Sequence, residues 1–328
     1  MTESVHAEPE PAGRTVVLAG PQPSAVQPGA PPGSGHVGTI LRELRIDGPV
    51  AIVAAGWQER ETDAGVLPEL DRPTVNLSLH ARAEEVFASD PELGQPYKRR
   101  QTRLRLMQDI YRVRLDYAAE AAHAISIRHV DADLLAEERT ASIDLIRALD
   151  RQHLARCRAV HDTFEATHRI AERRSVLSHR RELASLIAST EAILIAGGHV
   201  GVLLNRLRLF DLIGLAGDRP IIAWSAGAMT LCAQVVLFHD DPPNGQGRAE
   251  VLDLGFGLVP DVVALPDPRH RLRLDDPDRV GSFARRFAPF VCATLGQGAH
   301  IVTRGGRVVS ATGAQRLAAD GAIERVGP

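Results

Sequence analysis

Three continuous apolar runs, each closed by small residues, limit what this chain can become. They are Pro49-Val50-Ala51-Ile52-Val53-Ala54-Ala55-Gly56, Ala192-Ile193-Leu194-Ile195-Ala196-Gly197-Gly198 and Pro220-Ile221-Ile222-Ala223-Trp224, the last followed by Ser225-Ala226-Gly227. A strand with one wet face alternates polar and apolar residues. A strand that does not alternate is covered on both faces, as in a parallel sheet between helices. The expected fold is therefore α/β, a three-layer sandwich with a mostly parallel, doubly wound sheet. Thr15-Val16-Val17-Leu18-Ala19-Gly20 reads as one more strand. Ligands of such folds sit at the carboxyl edge of the sheet, which directs attention to Trp57, Gly197-Gly198 and Ser225. With 44% hydrophobic residues but only 4% aromatic, the core must be built from Leu, Val, Ile and Ala.

Four segments are expected. Residues 1–35 form a Pro/Gly-rich, mostly disordered tail, the Thr15 run excepted. Residues 36–80 open the α/β domain, with a short helix from Thr39 as N-cap. Residues 81–190 are almost wholly helical, a large all-α insertion or arm. There Leu104, Met107, Tyr111 and Leu115 recur at helical steps. Long helices bury their stripes against other helices, so a homo-oligomer through this region is an expectation. Residues 191–328 form the main part of the α/β domain. They include a helix over 226–236 and a hairpin around Arg304-Gly305-Gly306, where glycines accept the positive φ of a tight turn.

Several function classes are disfavoured. The net charge of −3 asks for no nucleic-acid partner. Arg99, Arg100, Arg103, Arg105, Arg112 and Arg114 form a basic stretch, but Asp109 and Asp116 sit among them. The three cysteines, Cys157, Cys232 and Cys292, have neither disulfide nor metal spacing and read as reduced buried thiols. His161, Glu165 and His168 share a helical face but lack a second Glu-x-x-His, so no metal is expected. No phosphate loop or dinucleotide fingerprint is present, so no cofactor is expected. The acidic start lacks the features of a signal peptide, and no apolar run is long enough to cross a bilayer, so a cytoplasmic location is expected and no membrane partner.

The chemistry concentrates at Ser225. A buried strand, then Trp-Ser-Ala-Gly-Ala, then a helix forces a sharp reversal. It leaves the serine exposed with the Ala226 amide and the helix N-terminus beside it. That geometry serves an oxyanion. Taken alone, the turn admits either a nucleophile or a helix-capping serine. Gly197-Gly198-His199 ends the neighbouring strand and offers Gly198 as a second bare amide, or simply a turn. His239-Asp240-Asp241 and the run Pro266-Asp267-Pro268-Arg269-His270-Arg271-Leu272-Arg273 supply acids, imidazoles and arginines. The arginines alternate as in a strand and suit either a substrate carboxylate or the acids at 275–278.

Together these motifs resemble the peptidase E and cyanophycinase family of serine peptidases, within the class I glutamine amidotransferase-like superfamily. The family's Gly-Gly-Asn is matched by Gly197-Gly198-His199. Its Gly-x-Ser-Ala-Gly-Ala is matched by Ala223-Trp224-Ser225-Ala226-Gly227-Ala228. Its Gly-Leu-Gly-Leu-(Val/Leu)-Pro segment is matched by Gly255-Phe256-Gly257-Leu258-Val259-Pro260. The resemblance implies a serine hydrolase acting on a small peptide or amide. Ser225 would be the nucleophile, Ala226 and Gly198 the oxyanion donors, and Asp240 the orienting acid. The family's Pro-His dipeptide is Pro266-Asp267 here, and the nearest imidazole, His270, is the expected base. Arg271, Arg273 and His199 are the expected substrate contacts. A descendant that keeps the elbow without the base, and binds rather than cleaves, is the alternative.

Overall fold

The computed structural model describes residues 13–22, 32–239 and 248–327. Most of the Pro/Gly-rich segment, and Asp240, lie outside them. In chain order, strand β1 (Thr15–Ala19) and helix α1 (His36–Glu43) precede β2 (Val50–Val53) and β3 (Thr74–Asn76). Four helices follow: α2 (Leu79–Ser89), α3 (Pro91–Ser126), α4 (Ala132–His168) and α5 (Arg174–Ala188). Then come β4 (Ala192–Ile195), α6 (Val200–Leu209), α7 (Leu212–Leu215), β5 (Ile221–Trp224) and α8 (Ala226–Leu231). The remainder is β6 (Gln234–Leu237), β7 (Glu250–Leu254), β8 (Val262–Pro266), α9 (Pro268–Arg271), α10 (Pro277–Phe287), β9 (Val291–Leu295), β10 (His300–Arg304), β11 (Arg307–Thr312), β12 (Gln315–Leu317) and β13 (Ile323–Arg325).

The central sheet has seven strands in the order β11-β10-β1-β5-β4-β2-β3. All pairs from β1 to β3 are parallel, and β10 and β11 add an antiparallel edge. Within the apolar runs every residue of β2, β4 and β5 is buried, and each strand sends alternate residues to opposite faces. Ile193 and Ile195 join one core with Val16, Leu18 and Ala223. Ala192 and Leu194 join the other with Val17, Ile222, Trp224 and the α1 residues Val37, Ile40 and Leu41. This double coverage is why the strands read as unbroken apolar runs. The α3–α4 hairpin is the long helical region, and Tyr97, Tyr111, Leu115, Ile146 and Phe164 tie its base into the first core. None of the described helices is long and apolar enough to cross a membrane.

Three local expectations change. The helix after Ser225 stops at Leu231, because Val235 and Val236 pair with β7 as a strand; β-branched residues favour that pairing. The first helix starts at His36 with Gly35 as N-cap, so Thr39 lies inside it and donates to the Gly35 carbonyl at 3.3 Å. A second sheet, β13-β12-β9-β8, was not anticipated, and its parallel β8–β9 pair carries the turn at Asp267.

Candidate functional site

Because β1, β2, β4 and β5 are parallel, their carboxyl ends share one edge. That edge gathers Gly20, Trp57-Gln58, Gly197-Gly198 and Ser225. Ser225 has φ 51° and ψ −125°, a backbone state L-residues rarely adopt. It is pinned from both sides: its amide donates to Ala19 O at 3.1 Å and its carbonyl accepts from Met229 N at 3.4 Å. Ser225 stands at the N-cap of α8, yet its side chain makes no capping hydrogen bond. The capping reading of this serine therefore fails, and Oγ has no partner among the described residues.

Glycine makes the close approach. A Cβ on Gly227 would lie 2.5 Å from Ile195 O, and one on Gly197 would lie 2.9 Å from Ser225 Cβ. Gly198 has φ +102°, and a Cβ there would strike the Gly56 carbonyl at 2.5 Å. Among the described residues, neither the Gly198 amide nor the Ala226 amide donates to another group of the chain. His199 is held differently from a free ligand contact. Its amide donates to Gly56 O at 2.7 Å, and its Nδ1 accepts from Val202 N at 3.3 Å as the cap of α6.

Sequence reasoning missed Gln58. It has φ 57° and ψ −126°, nearly the Ser225 conformation, one strand beyond Gly197-Gly198. Only a glycine would have flagged a positive φ in the sequence.

The turn after β8 holds the other candidates. Asp267 adopts φ 58° and starts the single-turn helix α9, so the Arg269–Arg273 run is not a strand. Pro268 at the first helical position has its φ preset and loses no hydrogen bond. Asp267 Oδ1 lies 2.6 Å from His270 Nδ1, and the imidazole is 81% exposed. No hydrogen bond joins His270 to Ser225. Arg271 Nε lies 3.7 Å from Asp267 Oδ2, with its guanidinium 5.9 Å from the Phe238 ring centre. Arg273 lies instead near Arg279 and Leu317, toward α10 and β12. His239 belongs to the Asp267 cluster: burial first, then Arg271, hold its imidazole below the ordinary range, with Asp267 opposing. Asp240 lies outside the described residues. Backbone contacts link the turn to the elbow. Asp267 N donates to Leu295 O, and a Cβ on Gly20, the residue after Ala19, would collide with Leu295 O and Gly296 O.

The other histidines singled out earlier have structural partners. His161 Nε2 lies 2.9 Å from Asp253 Oδ2, which also accepts from Arg208 at 2.8 Å. Arg100 of the basic stretch is buried between the Tyr97 and Phe164 rings, 4.2 and 4.3 Å from their centres.

No family model and no curated protein matches the chain. Among solved structures, a peptidase from an acI-B1 Actinobacterium is similar at 20% identity and a TM-score of 0.30, over 43% of this chain and 60% of that one. The match thus spans less than two thirds of that peptidase, and a likeness so distant carries no inference.

Proposed function

We propose that this chain is a peptidase E-like serine hydrolase that cleaves a small peptide or amide. One observation carries the reading. A serine in a strained strand-to-helix turn, packed against Gly197, keeps its hydroxyl unengaged, and the Ala226 and Gly198 amides donate to no other group among the described residues. Such strain persists only where the surroundings enforce it, and it clusters at active sites. In the proposed reaction Ser225 Oγ attacks the scissile carbonyl carbon and its proton passes to His270 Nε2. The Ala226 and Gly198 amides hold the oxyanion. The amine leaves with that proton, and water releases the acyl group by the same route. Asp267 takes the orienting role toward His270 Nδ1, the position from which it already binds that nitrogen. His270 must close on Ser225 when substrate arrives, since catalytic hydrogen bonds are often long before binding. In this reading Arg271 meets a substrate carboxylate, and the small substrate needs no cofactor.

The exposed, Ser225-free His270 also supports a second reading, a binding protein that keeps the elbow without an assembled base. A fluorophosphonate probe separates the two. The hydrolase predicts labelling of the wild type, none in Ser225→Ala, and at least a 100-fold slower rate in His270→Ala. Absence of labelling in folded wild type would favour the binding protein. Normal labelling of His270→Ala with loss in His239→Ala would move the base to His239.

A further inference from the structure

The outer face of α3 carries Leu106, Ile110, Val113 and Tyr117, which are 58%, 53%, 56% and 71% exposed. Their steps of four, three and four make a continuous seam of the kind two helices share. The inward stripe of the same helix, Met107, Tyr111 and Leu115, is already buried in the protein. Isolated exposed apolar residues are ordinary, but an aligned row of four on a long helix is the mark of an interaction face.

We propose that the occupant of this face is a second copy of the chain, paired antiparallel through α3 about a two-fold axis. The argument lies in the numbering of the seam and its charges. Turn the helix end for end about the point between Tyr111 and Arg112. Ile110 of one copy then faces Val113 of the other, and Leu106 faces Tyr117. The same operation sets Arg103 against Glu120. Both are exposed, both lie on the seam's own three- and four-residue steps, and neither has an ion-pair partner among the described residues. One rotation therefore closes the apolar row and joins the two charges, at both ends of the contact. This is the self-complementarity a two-fold interface demands. A parallel pair would set Arg103 on Arg103 and Glu120 on Glu120, so charge selects the antiparallel arrangement. The flanking acids Asp109 and Asp116 already face Arg112 and Arg248 of their own chain at 3.7 and 3.4 Å.

Sedimentation equilibrium of the full chain tests this. The wild type should be a dimer at micromolar concentrations. Ile110→Glu should be a folded monomer, since the side chain touches no core and circular dichroism should not change. Arg103→Glu and Glu120→Arg should each raise the dimer Kd at least tenfold, and the double variant carrying both should return it to near the wild-type value. A monomeric wild type would overturn the proposal, as would a dimer indifferent to Ile110→Glu. A double variant weaker than either single one would overturn the antiparallel register.

Discussion

Gly198 and Ser225 divide the elbow's requirements between them. Ser225 supplies a hydroxyl that the fold does not use, whereas Gly198 supplies space that the fold cannot do without. Ser225→Ala should therefore leave stability within roughly 0.5 kcal/mol of wild type. Gly198→Ala must place a Cβ 2.5 Å from the Gly56 carbonyl at a φ of +102°. It should cost about 1–3 kcal/mol in urea unfolding and, on the proposed function, also slow probe labelling of Ser225, because the displaced amide is the proposed oxyanion donor. Equal stability of the two variants would show that the Gly198 turn is not held where Ser225 needs it. The glycines were legible in the sequence, since only glycine tolerates such positions. Gln58 was not, because its strain is imposed by neighbours and leaves no mark in residue type.

The helical hairpin is held at its base by polar contacts as well as apolar ones. Arg286 of α10 grips Asp150 of α4 through two bonds of 2.8 Å and reaches the Tyr111 hydroxyl of α3 at 3.0 Å. Tyr111 donates to Asp150 at 2.7 Å and stacks on His153. Burial alone would lower the Arg286 pKa, but Asp150 and Tyr111 outweigh it and raise it. Removing one member leaves the other charge buried and unpaired. Asp150→Ala should cost about 3–5 kcal/mol in urea denaturation, while Asp150→Leu with Arg286→Met should cost less. A smaller loss for the single variant would mean the pair is hydrated. Helical periodicity disclosed that these helices exist. It could not disclose this anchor, whose members are up to 175 residues apart.

Across the molecule, two histidines, half-buried His36 and buried His300, join α1 to β10. His36 of α1 lies 3.1 Å from His300 of β10, which also faces Glu43 at 3.3 Å. Burial, then the neighbouring His300, push the His36 imidazole down to about 4 from 6.5. The unfolded chain therefore binds the proton first, and stability should fall as pH drops from 6.5 toward 4. A second loss belongs to Asp253. Burial would raise its carboxyl, but His161 and Arg208 prevail and hold it at about 2 against 3.8. Its contribution is present above 3.8 and fades toward 2. Thermal unfolding should show Tm declining through the upper window by roughly 3–6 °C. His36→Gln should lessen the slope in that window, to which the lowered imidazoles of His300, His153 and His239 also contribute, and leave the lower one intact; an unchanged upper slope would assign it to those other groups.

Local periodicity and steric demand were enough to read out the doubly covered strands, the long helices, the hairpin at Gly305-Gly306 and the glycines around Ser225. Each is a property of a few consecutive residues. Contacts between distant residues decided the rest. Val235 and Val236 became a strand because β7 was there to pair with them. Ser225 kept its hydroxyl free because Ala19 and Met229 fix its backbone. Asp267, placed by β8 and β9, took His270 Nδ1, a pairing that residue order allows but does not require. Three linked motifs directed attention to the serine. Whether an imidazole serves it depends on how the ends of β5 and β8 meet, and that is a matter of packing between two sheets.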